Sequence, residues 1–191
     1  KLSNADLLVR DGKIVAVGAG LNAPAGCEIV DASGKHISPG IWDAHSHTAI
    51  LGNVNEGTNM VTVECRIGDV VNHRDTNVYR QLAGGTIGGQ QPHASANAIG
   101  GQTCRSKWRW GLRPADYPVQ GAPGGVKFAL GENPIREDSG GFGQQQQPVG
   151  STLLTFRPRT RMGVEEAIRR SLTLGSEYAQ KWDDYRTGKS T

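Results

Sequence analysis

A chain of 191 residues, 36% hydrophobic and 6% aromatic, is long enough for one domain with a real core, and its 27 glycines make it loop-rich. The formal net charge of +3, from 21 Lys and Arg against 18 Asp and Glu, is too small to argue for a nucleic-acid partner. No apolar run reaches membrane-spanning length, so no membrane partner is expected.

Arg105, Lys107, Arg109 and Arg113 surround Trp108 and Trp110, but no wider basic face accompanies them, and the group reads as a solvated rim. Cys27, Cys65 and Cys104 are odd in number and lack CxxC spacing, which argues against a disulfide framework. No signal peptide is visible. The chain opens at Lys1 almost directly on a strand pattern, so it reads as a piece of something longer and its compartment is left open.

Residues 5–10 and 13–18 are two β patterns joined by Asp11-Gly12, a strong hairpin signal. Cys27–Asp31 reads as a third strand, and Lys35–Ser38, containing the lone His36, as a fourth. Residues 1–38 are therefore expected to form a small antiparallel, sandwich-like β unit, with residues 39–191 as the main α/β domain.

Gly40-Ile-Trp-Asp-Ala-His-Ser-His-Thr48 reads as a buried strand entered through a Pro-Gly turn. Side chains two apart on a strand share a face, so His45 and His47 would project into one space with Asp43 beside them. Two imidazoles side by side form half of a site for a zinc-like metal, and Asp43 is placed to orient a ligating ring.

Further along, residues 52–59 have loop character and Met60–Cys65 reads as a short strand. Asp75 is an N-cap candidate for a helix that stops at Gly84-Gly85, and Thr86–His93 follows as a weak strand. Ser95–Gln102 is a glycine- and amide-rich loop of the kind that frames a ligand, equally readable as a plain connector. Asn97 in this loop and His93 at the end of the preceding strand are the substrate-binding candidates, with metal binding an alternative for His93.

Val126–Leu130 is the next clear strand and holds Lys127; Glu132 follows it. Residues 135–161 are low in complexity and read as a mobile Gly/Gln-rich excursion. Gly163–Arg186 is the best helix pattern, with Val164, Ile168, Leu172, Tyr178, Trp182 and Tyr185 as a core-facing stripe.

Gly34-Lys-His-Ile-Ser-Pro-Gly-Ile-Trp-Asp-Ala-His-Ser-His-Thr48 resembles the first barrel strand of the amidohydrolase superfamily, nearest to imidazolonepropionase-like members. Asp11–Gly18 and Val30–Lys35 are similar to the short strands that lead into it there, and Gly125–Gly131 to the fourth-strand segment. The resemblance implies a partial (β/α)8 TIM-type barrel, about its first four strand–helix units, behind the small β unit. It also implies one or two divalent metal ions, zinc first and manganese or iron as alternatives, held by His45, His47 and a carboxylated Lys127.

Glu132 is an alternative to Lys127, since some members use a glutamate there. Two further histidine ligands and the proton-shuttling aspartate find no place here and are expected beyond Thr191, from further sequence or another chain; a homo-oligomer is compatible. The implied activity is hydrolysis of a C–N bond in a small-molecule amide or cyclic amide. The alternative is a non-catalytic structural or assembly chain that keeps the fold without the chemistry.

Overall fold

The computed structural model describes residues 1–135 and 158–189, which divide into two units, Lys1–Pro39 and Gly40–Thr191. In the first unit, β1 (Asp6–Arg10) and β2 (Lys13–Gly18) pair antiparallel across the Asp11-Gly12 turn. Both turn residues have positive φ, 51° and 72°, as the tight hairpin turn requires. The strands expected at Cys27–Asp31 and Lys35–Ser38 are absent. Ile29, Val30 and Ile37 are 75%, 77% and 63% exposed, and without a ladder partner a β-favouring composition does not make a strand.

The second unit is mixed α/β with small, open sheets. Its first sheet runs β3 (Ile41–Asp43), β4 (Thr86–Gln91), β6 (Cys104–Lys107), with β3 parallel and β6 antiparallel to β4. A second pairs β5 (Ile99–Gln102) antiparallel with β7 (Val126–Phe128). The buried strand expected over Gly40–Thr48 is corrected to these three residues of β3, with Ile41 58% and Trp42 42% exposed. The reason is positional: β3 is an edge strand with one neighbour. Asp43 ends it by accepting the His45 N–H at 3.0 Å, which bends the backbone.

Met60–Cys65 contributes only an isolated parallel bridge, Val61 to Ile99, rather than a strand. The loop expected at Ser95–Gln102 contains β5, hidden in the sequence by its two glycines. The excursion expected at 135–161 lies almost wholly outside the described residues.

Helix α1 (Thr76–Ala83) forms as its caps dictate. Asp75 accepts the Asn77 N–H at 2.9 Å, and the chain leaves through Gly84 and Gly85. It buries Val78 with Ala49, Val71, Trp108 and Tyr117 in one cluster. A second cluster joins Ala98 to Val164 and Ala167 of α2 (Arg161–Arg186).

The stripe expected to anchor α2 in a core does so only at its start. Val164 is 2% exposed, but Leu172, Tyr178, Trp182 and Tyr185 are 59%, 63%, 44% and 61% exposed. Helical spacing fixes which residues share a face, not whether anything covers that face. The aromatics instead pack on one another edge to face, Tyr178 to Trp182 and Trp182 to Tyr185, with Arg186 5.7 Å above the Trp182 ring.

The β3–β4 junction depends on glycine. A Cβ on Gly88 would lie 2.5 Å from Trp42 Cζ3 and 2.6 Å from the Ser106 carbonyl oxygen, whereas one on Gly84 would meet nothing closer than 3.5 Å. Gly88→Ala is therefore expected to lower stability by about 1–3 kcal/mol, and Gly84→Ala to change it far less, in paired denaturant melts.

Candidate functional site

His45, Ser46 and His47 follow the end of β3, in chain held from behind by polar groups. The Ser46 N–H donates to the Gln90 carbonyl at 2.9 Å, continuing the parallel register of β3 on β4 past the last strand residue. Fully buried Gln91 donates through Nε2 to the Thr48 carbonyl, while its Oε1 accepts from Ser106 Oγ. Ala49, buried at φ 61°, donates its N–H to Asp75 Oδ2 at 2.8 Å, and its carbonyl accepts the Asn72 N–H at 2.7 Å.

A positive φ is costly for alanine, so this pair of bonds fixes the backbone just beyond the histidines. Asp75 thus acts twice, one carboxylate oxygen capping α1 and the other holding the histidine loop. Its capping role is readable from sequence. The second role and that of Gln91 are not, because both depend on contacts 26 and 43 positions away.

The imidazoles of His45 and His47 lie with ring centroids 5.2 Å apart and planes tilted by 56°. Both side chains are open to solvent. Partial desolvation, followed by the neighbouring His45, Lys127 and His93, lowers the His47 pKa below the ordinary 6.5. The shift favours the neutral imidazole, the form with a lone pair available.

Lys127 sits in the middle of β7 as the half-buried residue between exposed Val126 and Phe128. Glu132 lies four residues beyond that strand and is exposed. Asp43 is half-buried and spends Oδ1 on the His45 backbone N–H. Among the described residues, no three His, Cys, Asp or Glu side chains gather closely enough to hold a metal ion by themselves.

His93 and Asn97 lie deeper, each only 2% exposed. His93 Nε2 accepts the Glu56 N–H at 2.7 Å, which leaves the proton on Nδ1 to donate to the Ala94 carbonyl at 2.9 Å. Burial lowers the His93 pKa from 6.5, partly offset by its bond to Ala94 and the charge of Glu56. Asn97 Nδ2 donates to the Glu56 and Asn59 carbonyls, at 2.6 Å each.

No family model matches the chain. A crystal structure of an amidohydrolase from Thermotoga maritima matches with a TM-score of 0.80 and 33% identity, over 97% of this chain and 46% of that one. An amidohydrolase from Hapsidospora irregularis is 28% identical over 94% of this chain and 19% of its own length. A dihydroorotase from Pelobacter propionicus is 55% identical over 42 residues, 22% of this chain and 10% of that protein. The chain thus spans less than half the length of each of these three relatives.

Two lowered histidine pKa values set a direction for pH dependence. The unfolded chain takes up these protons near pH 6.5, before the folded one does. The stability due to neutral His47 and His93 is therefore complete above pH 6.5 and lost progressively as pH falls toward the folded pKa values. Urea midpoints measured from pH 8 to pH 5 are expected to fall below pH 6.5, and to fall less in His93→Gln.

Proposed function

This chain is a relative of the amidohydrolase superfamily, and from that premise we propose that it supplies part of a metal-dependent hydrolase. The reaction is hydrolysis of a C–N bond in a small amide or cyclic amide, and the architecture a partial (β/α)8 barrel. The observation that carries the reading is the pair of imidazoles at 5.2 Å, with Lys127 among the charges acting on His47.

The donor set fits a divalent ion in part. Neutral imidazole is the metal-binding form of histidine, and the lowered pKa keeps His47 in it. His45 and His47 would be ligands. Lys127 would be the third once its amine adds carbon dioxide and releases a proton to become a carbamate, with Glu132 as the alternative. When bound, a divalent ion, zinc first and manganese or iron otherwise, lowers the pKa of water and polarises a carbonyl.

The chain's own contribution is placement. Asp43 fixes the bend that presents His45, and Gln91 and Asp75 hold the backbone on the far side of His47. The remaining ligands and the carboxylate that delivers a proton to the leaving nitrogen would come from further polypeptide, in keeping with a chain that spans 46% of the Thermotoga relative. The exposed apolar stripe of α2, with exposed Trp42 and Phe128, supports a fold completed by further chain.

A second reading, a non-catalytic chain that keeps the fold, is favoured by the lack of a third His, Cys, Asp or Glu beside the pair among the described residues. Metal content separates the two. Purified protein is expected to carry roughly one or two equivalents of zinc, manganese or iron per chain, lost in His45→Ala and His47→Ala, with Asp43→Ala weakening affinity about 10–100-fold. Absence of stoichiometric metal from the intact chain would leave the second reading.

Lys127→Met is expected to lower affinity, and added bicarbonate to raise it in the parent alone. Equal bicarbonate dependence in parent and variant would transfer the bridging role to Glu132.

A further inference from the structure

The segment 53–59, which begins six residues after His47, is tied to residues 93–97 from both sides. Ala94 N–H donates to the Val54 carbonyl at 3.0 Å, and Ala96 N–H to Asn55 Oδ1 at 3.2 Å. Glu56 N–H donates to His93 Nε2, and Asn97 Nδ2 donates to the carbonyls of Glu56 and Asn59. Both backbone groups of Glu56 are therefore held by side chains that are each 2% exposed.

A second observation fixes the seat of the clamp. A Cβ on Gly100 would lie 2.6 Å from His93 Nδ1, and one on Gly101 3.1 Å from its Cδ2, so glycine backbone lies against the ring. The imidazole has one place to sit, and both of its nitrogens are spent there. Asn97 spends both amide hydrogens, while its Oδ1 is buried without a partner among the described residues, so its donor bonds set its orientation. Neither side chain has a free donor to offer a substrate. His93 comes two residues after Gln91, the last residue of β4, whose side chain donates to the Thr48 carbonyl. The Gln90 carbonyl accepts the Ser46 N–H, so the clamp follows the end of β4 that holds the histidine pair.

We propose that His93 and Asn97 are positioning residues that hold residues 53–59 as a preformed wall of the His45–His47 site, with Glu56 the residue whose place they fix. The segment is a wall and not a lid. The word "site" rests on the function proposed above; the clamp itself does not, so each can fail alone.

Amide hydrogen exchange on the intact chain tests it, with α1 and β4 as internal references for folding. His93→Phe removes the acceptor, His93→Gln restores one acceptor and one donor, and Asn55→Ala is a mild variant at a half-buried position that removes a single bond. Exchange in 54–59 is expected to rise about tenfold in His93→Phe and less in Asn55→Ala, with α1 and β4 unchanged and His93→Gln close to the parent. Added zinc should leave exchange of the parent segment unchanged.

Exchange that rises equally across α1, β4 and 54–59 in His93→Phe while Asn55→Ala changes nothing would overturn the clamp. So would unprotected amides at 54–59 in the parent. Protection appearing only with zinc would make the segment a lid and overturn the wall.

Discussion

The segment from His45 to Ala49 owes its shape to hydrogen bonds from behind, with little help from burial of the histidines themselves. Edge strand β3 contributes three residues and then bends at Asp43. Beyond that point the Gln90 carbonyl, the Gln91 side chain and the Asp75 carboxylate take over, each meeting the backbone of the segment. Metal-site ligands gain most from such support, because imidazoles on a free loop would sample many geometries. The close approach of β3 to β4, which only glycine at position 88 permits, brings Gln90 and Gln91 within reach.

The same dependence explains what was legible in the sequence. Features whose cause is local were readable: Asp11-Gly12 made a hairpin, and Asp75 with Gly84-Gly85 bounded α1. Features whose cause is distant were not. Cys104-Arg-Ser-Lys107 shows no apolar alternation, yet it forms β6 because β4 offers it a ladder. Cys27–Asp31 has a β-like composition but finds no strand partner among the described residues. The stripe on α2 was legible as a stripe, while its exposure depends on neighbours that spacing does not encode.

The candidate site divides in the same way. His45 and His47 stood out because their chemistry and their two-residue spacing are visible together, although the strand that would have aligned them ends before they begin. His93 and Asn97 were visible as polar residues in or next to a glycine-rich stretch, but their long-range contacts lie 37 to 41 positions back at Glu56 and Asn59. A reading confined to the local stretch does not show that the fold uses both His93 ring nitrogens and both Asn97 amide hydrogens in bonds to backbone.

Under the proposed function, charge would couple the lysine to the metal. Lys127 acts on His47 as a cation and helps hold the imidazole neutral. That favours a lone pair for a ligand, yet an ammonium beside the pair repels the divalent ion that the imidazoles would bind. Conversion to a carbamate replaces a positive charge with a negative one at the same position, turning repulsion into attraction. In the proposed centre, metal occupancy and the chemical state of Lys127 would therefore be linked.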